Sequence, residues 1–400
     1  MVKVSVIMPV YNGEDFLERS CKNLSKQTLD DFELICVDDG STDNSLEELK
    51  KLSNKYDFIK IFSQDNQGSG KARNYGISKA QGEYIAFLDA DDVFIDKDAL
   101  EKMYNAGIDY DADMVAGNLL RVDNHGKFLK NFNYVDDNYA YCSKIEKIRP
   151  EEYGIPWAFY KNIYRRDFLD RYDIHFPDLK RGQDPVFLAH ILTKIDYIVT
   201  VPVNLYGYSF EAAGGPNKKI NTYEKKYDYI MHYYESFRIL DDSNIFADSL
   251  IKYMESFFTF LSLKDNRDDN ELFEIVHEIF EDGNEIYLNN YVEEIAYLRL
   301  CLLDKYNSLN YNNYIKDIED NLIKSALKEP IPDKILDKYS EFVKNNSKEE
   351  DMICVSKSLI NKAIPNLVNE RTGKLEELLS SNSWKMTAPI RKFKNRLKKQ

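Results

Sequence analysis

Apolar and polar positions along the first 125 residues fall into blocks that switch between the strand and helix periods. Val2 to Met8 is a β-strand stopped by Pro9, and Glu14 to Lys26 carries Phe16, Leu17 and Leu24 at helical spacing. Phe32 to Val37 is a second strand, ending in Asp38-Asp39-Gly40. Ser41, Thr42 or Asp43 then caps a helix with Leu46, Leu49 and Leu52 on one face. The spacing predicts a third strand over 58–62 and a third helix over 69–80, entered through Asn66-Gln67-Gly68-Ser69-Gly70. A fourth strand runs from Tyr84 to Leu88, Asp96 caps a helix ending near Gly107, and 113–120 is a further strand. Residues 125–210 read as irregular and aromatic, and after Tyr223 the pattern becomes helical.

Repeated strand–helix units imply an α/β fold, a Rossmann-like, mostly parallel sheet with helices on both faces. In such sheets the ligand crevice lies outside the carboxyl ends of the strands. Pro9 to Tyr11, Asp38-Asp39, Asn66 to Gly70 and Asp89 to Asp91 all fall there. The pattern predicts three segments: a catalytic domain over 1–215, a mainly α-helical region over 216–380 and a basic amphipathic tail over 381–400.

Length and composition narrow the class. Four hundred residues with 43% hydrophobic and 13% aromatic side chains suit a globular chain of about two domains. A net charge of −14 argues against nucleic-acid binding. The dispersed cysteines, odd in number, favour free thiols and a cytoplasmic setting, and the histidines lack zinc-ligand spacing. No apolar run reaches the length of a membrane span. The tail differs, because Ile390, Phe393 and Leu397 share a face among Lys385, Arg391, Lys392, Lys394, Arg396, Lys398 and Lys399. Such a helix can lie peripherally on the inner, anionic face of a membrane, or remain a solvated tail.

Candidate chemistry centres on Phe87-Leu88-Asp89-Ala90-Asp91-Asp92. On an extended chain Asp89 and Asp91 point the same way and Ala90 leaves the space between them open. Paired carboxylates there suit Mg²⁺ or Mn²⁺, with positions left for phosphate oxygens; a solvated acidic turn is the plainer alternative. Asp39 can accept the N3–H of uracil, which cytosine lacks, or can simply close an Asx turn. The stretch 66–74 offers glycines, backbone amides and two cations to a diphosphate, without being a P-loop. Asp184 opens an apolar helical run, either as a cap or as a general base for an acceptor hydroxyl. Aromatic residues from Tyr134 to Tyr160 can stack on sugar faces or form core.

Taken together, Val6 to Asn12, Val37 to Asp43, Ala72-Arg73-Asn74-Tyr75-Gly76 and Tyr84 to Asp92 resemble the inverting glycosyltransferases of family 2, with the GT-A fold. Tyr160 to Arg166 is a loose version of a further family stretch, and Ser383 to Arg391 resembles a tail seen in members acting on bacterial cell-surface polymers, of teichoic acid or capsule type. The resemblance implies a UDP-sugar donor and a glycan, polyol-phosphate or lipid-linked acceptor. It implies that Pro9, Tyr11 and Asp39 hold uridine and that Asn66 and Arg73 line the nucleotide-sugar pocket. Asp89, Ala90 and Asp91 would form the DxD motif, with Asp91 and Asp89 on the metal, and Asp184 would be the base. Gln183 replaces the family's glutamate beside it, which removes a like charge and should favour the ionised base. A noncatalytic nucleotide-sugar-binding protein and a nucleotidyltransferase remain as alternatives. Homo-oligomer formation is left open.

Overall fold

The computed structural model describes residues 1–123, 142–209, 220–243 and 269–281, with Tyr253, Ser256, Phe257, Phe260 and Asn266 as single positions. Tyr134, Tyr139 and Tyr141, the stretch 282–380 and the tail 381–400 lie outside the described residues. Two compact units are present, Met1–Ser243 and Asn244–Gln400.

The first unit is built on one mixed sheet. Strands β1 (Val4–Val10), β2 (Phe32–Asp39), β3 (Ile59–Gln64) and β4 (Tyr84–Phe87) run parallel in the spatial order β3-β2-β1-β4. The remaining strands are β5 (Val93–Phe94), β6 (Met114–Val122), β7 (Glu146–Ile148), β8 (Asn162–Arg165) and β9 (Ile198–Ser209). Antiparallel β8 joins β4 to β6, β6 runs parallel to β9, and β5 and β7 pair antiparallel with β9.

The expectation that 125–210 is irregular is corrected. That span holds β7, β8, β9 and the helices α5 (Arg166–Arg171) and α6 (Gln183–Leu192). Strand β8 is only four residues long and polar at both ends. Pro202 and Gly207 interrupt β9, and its pairing with β6 shifts register beside Asn118. Neither strand shows a clean period of two, so sequence patterning passes over both.

Helices α1 (Glu14–Leu24), α2 (Ser45–Lys55) and α4 (Ala99–Asp109) bury one face of the sheet. Leu17, Cys21, Leu49, Leu52, Leu100 and Met103 pack there on Val4, Val6, Met8 and Val10, the alternate positions of β1. Helix α3 (Ser69–Lys79) covers the other face through Ala72, against Ile35 and Val37. Its Gly76 is required by contact, since a Cβ there would sit 2.5 Å from Ile7 Cγ2. Helix α4 begins at Ala99 rather than at Asp96, because the Asp96 carboxylate accepts the Asn204 N–H instead of capping it. Helix α7 (Tyr223–Asp242) belongs to the first unit and packs on α6.

In the second unit, α8 (Asn270–Glu281) buries Leu272, Ile275, Val276 and Ile279, the stripe of an amphipathic helix. No described helix is long and apolar enough to cross a membrane.

Candidate active site

The loops leaving β1, β2 and β3 are tied to one another. Asn12 adopts a left-handed conformation (φ 51°), and its side-chain oxygen accepts the Thr42 N–H at 2.8 Å. Gly40 also has positive φ (70°), and a Cβ there would meet the Asn66 backbone nitrogen at 2.8 Å. Asp39 ends β2, buried, and takes three hydrogen bonds: from Gln64 Nε2 (2.8 Å), Gln67 N–H (2.9 Å) and Gly68 N–H (2.8 Å). Its carboxylate therefore braces the entry to α3, and of about four lone-pair positions one remains for a ligand. Pro9 sits near the end of β1 opposite Val37, with Tyr11 and Asn66 exposed beyond it.

The acids after β4 are not on an extended chain. The Asp92 N–H donates to the Asp89 carbonyl at 3.0 Å, so Asp89-Ala90-Asp91-Asp92 is a turn. Asp89, Ala90 and Asp91 are half-buried and Asp92 is buried. Asp92 is a structural anchor that the sequence reading did not single out. Tyr206 OH donates to its Oδ2 at 2.6 Å and the Ser209 N–H to its Oδ1 at 2.7 Å, which ties the turn to β9. Burial, followed by the charges of Asp91 and Asp89, pushes its carboxyl well above the ordinary range. Tyr206 OH also accepts the Asp89 N–H at 3.2 Å, and Arg19 donates to the Asp91 carbonyl.

Arg73, buried on α3, connects the turn to α6. Nη2 lies 2.7 Å from Asp89 Oδ1 and Nη1 lies 3.3 Å from Asp184 Oδ1. Its guanidinium sits 4.9 Å from the Phe159 ring centroid and 5.3 Å from that of Phe176. Burial disfavours the charged form, but Asp89 and Asp184 outweigh it and hold Arg73 protonated. The neighbouring Asn74 exchanges two side-chain hydrogen bonds with the Phe176 backbone, at 2.8 and 2.9 Å. That explains the Ala72-Arg73-Asn74-x-Gly76 pattern physically: Arg73 spans two acids, Asn74 holds the approach to α6, and Gly76 lets α3 sit on β1.

Asp184 stands in the first turn of α6, after Gly182 in a left-handed conformation (φ 80°). Its carboxyl is pushed up to about 6, chiefly by burial and also by Asp89, while Arg73 and Arg181 pull it down. A carboxylate tuned upward in this way is better matched to proton abstraction near neutral pH. Gln183 Nε2 donates to Ser69 Oγ at 3.4 Å, and its Cγ packs on Gly70. Tyr160 stacks between Tyr206 (4.3 Å) and Tyr208 (6.2 Å). Burial, then Asp92, Asp89, Asp91 and Asp184, push the Tyr208 phenol up to about 12.

Asp89 and Asp184 thus meet through Arg73, with Asp91 in the same turn as Asp89. Asp39, Asn66 and Gly40 form a second cluster at the loops after β2 and β3. The sequence reading missed the residues that hold these clusters, namely Asn12, Arg19, Asp92 and Tyr206. Each acts across more than 25 residues of chain, and only Asn12 and Asp92 lay inside quoted motifs. Among the described residues no group of three or more His, Cys, Asp or Glu side chains is arranged as a protein-only metal cage. Asp89 and Asp91 are half-buried carboxylates of the type that holds a hard cation whose shell is completed by substrate phosphates.

The model of the family described as Glycosyl transferase family 2 matches residues 5–173. The chain is 34% identical over 211 residues to an uncharacterized glycosyltransferase from Haemophilus influenzae, covering 51% of this chain and 82% of that protein. It is 38% identical over 200 residues to a poly(ribitol-phosphate) beta-glucosyltransferase of Bacillus spizizenii, covering 48% of this chain and 30% of that one. Among solved structures, S. aureus TarS 1–349 in complex with UDP-GlcNAc superposes with a TM-score of 0.59 at 21% identity, covering 82% of this chain and 91% of that one. That last likeness is one of fold.

Proposed function

This chain belongs to glycosyl transferase family 2 and is a glycosyltransferase, and from that premise we propose that it moves a sugar from a UDP-sugar to a hydroxyl of an acceptor with inversion at the anomeric carbon. The observation that carries this reading is the Arg73 bridge, which holds Asp89 of the acidic turn and Asp184 of α6 on one guanidinium.

Asp184 is the general base in this reading. Arg73 engages Oδ1, and Oδ2 is left to take the acceptor proton. As the acceptor O–H bond breaks, its oxygen bonds to the anomeric carbon from the face opposite the donor phosphate. The bond from that carbon to the diphosphate oxygen breaks with its electron pair, releasing UDP, and Asp184 returns its proton to solvent. Asp91 and Asp89 would hold Mn²⁺ or Mg²⁺, which supplies positive charge to the departing diphosphate. Pro9, Tyr11 and Asp39 receive the uridine, with Asn66 beside them, and Ala90 leaves room between the acids. Because Arg73 is committed to two carboxylates, it orients them rather than gripping the diphosphate itself. Tyr160, stacked and half-buried next to Tyr208, is suited to a sugar face of the acceptor.

A polyol-phosphate acceptor is favoured by the likeness to the poly(ribitol-phosphate) beta-glucosyltransferase. Buried free thiols at Cys21 and Cys36 support a cytoplasmic reaction, and the basic tail supports peripheral attachment to a membrane. The test is incubation of the full chain with a panel of UDP-sugars, Mn²⁺ and glycan or polyol-phosphate acceptors. UDP release that needs acceptor and disappears with chelator supports the reading. Pyrophosphate release, or donor binding without turnover across the panel, overturns it.

A further inference from the structure

We propose that Arg181 forms an anion subsite beside Asp184 that holds a phosphate of the substrate during transfer. The assignment rests on the reading of Asp184 as the base of a nucleotide-sugar reaction.

Two segments build the floor of the site, 66–76 and 177–184, and they carry four cations: Lys71, Arg73, Lys180 and Arg181. Three are spent. Lys71 pairs with Asp178 at 2.9 Å, Arg73 with Asp89 and Asp184, and Lys180 with Glu224. The Arg181 side chain makes no hydrogen bond and no ion pair among the described residues, yet the residue is half-buried.

Arg181 stands three residues before Asp184, where the start of α6 is tied to α7, and the charges it feels are those of Asp184 and Tyr229. A partly desolvated guanidinium without a carboxylate partner is costly, and a planar fork of donors matches the oxygens of a phosphate. An anion arriving with the substrate would satisfy it. The local chain supports a fixed position. Gly182 follows in a left-handed conformation, and a Cβ on it would come within 2.3 Å of the buried His232 ring. The Lys180 N–H donates to Asp228 Oδ2 at 2.6 Å on the preceding side. Arg181 is therefore held between two anchors to α7, one residue to each side.

Two substrates bring phosphates to this point: the diphosphate of the donor and a phosphodiester or phosphomonoester of the acceptor. Isothermal titration calorimetry of the full chain with two matched pairs of probes separates them. The pairs are UDP against uridine and ribitol 5-phosphate against ribitol, titrated into wild type, Arg181→Gln and Arg181→Lys. The expected result is a loss of roughly tenfold or more for Arg181→Gln with the phosphate-bearing member of one pair, about 1.4 kcal/mol per tenfold. The phosphate-free member stays unchanged, and Arg181→Lys keeps part of the affinity. A loss confined to UDP assigns the subsite to the donor, and a loss confined to ribitol 5-phosphate assigns it to the acceptor.

Wild-type binding of all four probes by Arg181→Gln overturns the proposal, as does an equal loss for members with and without phosphate. A wild-type chain that does not bind UDP defeats the nucleotide-sugar reading on its own account. The ribitol pair then still decides Arg181, and equal wild-type affinity within both pairs overturns the subsite.

Discussion

Arg73 contributes one guanidinium to two carboxylates, so changes at Asp89 or Asp184 are not independent. Asp184→Asn keeps the shape of the side chain and removes both its capacity to take a proton and the charge it presents to Arg73. Transfer should fall by roughly 10²–10⁴, the usual contribution of a general base, while UDP affinity measured by calorimetry stays nearly unchanged. Parallel loss of both would make Asp184 a structural residue. The pH profile follows from its carboxyl, pushed up to about 6. Because the base works only when ionised, kcat/KM should fall as pH drops through about 6 and reach a plateau above it. Stability carries the opposite sign. A carboxyl with a raised folded-state pKa stabilises the fold below the ordinary carboxylate range, and that contribution is lost as pH rises through about 6. The Gln183 substitution leads one to expect an easily ionised neighbour, but burial outweighs it. Sequence identifies the residue types at this site, whereas the desolvation that tunes Asp184 comes from packing around it.

At the scale of elements, the start of α6 is where conformation and chemistry coincide. Gly182 combines positive φ with contact against His232, so Gly182→Ala meets backbone strain and a clash together. Unfolding in urea should show a loss of about 1–3 kcal/mol, with kcat reduced because Asp184 lies two residues on. Wild-type stability in that variant would mean that α6 can begin without the left-handed turn. Elements with a clean period were legible in the chain: β1 to β4 and α1 to α4 appear within a few residues of their expected limits. Strands β8 and β9 were not, because one is short and polar and the other is broken by Pro202 and Gly207. The sheet is accordingly mixed beyond β4, while its parallel half is the part whose loops carry Asp39 and the acidic turn.

For the whole molecule, a chain with net charge −14 carries a strongly basic stretch over 385–399. If that stretch anchors the enzyme to an anionic surface, a chain ending at Ser381 should float less with phosphatidylserine-containing liposomes than the full chain. The difference should shrink with salt, and unchanged flotation would remove the tail from any membrane role. The sequence by itself determined the family, the alternation of strands and helices and the kinds of residue that gather at the carboxyl edge of the sheet. Those are properties of neighbours in the chain, where periodicity and motif spacing are local and survive without coordinates. Tertiary structure alone decided that Asp89 and Asp184, 95 residues apart, share Arg73, that Asp39 spends most of its carboxylate on the α3 loop, and that the half-buried Arg181 side chain makes no ion pair among the described residues. Hydrogen bonding and desolvation depend on which groups meet in space, and no spacing along the chain encodes that meeting.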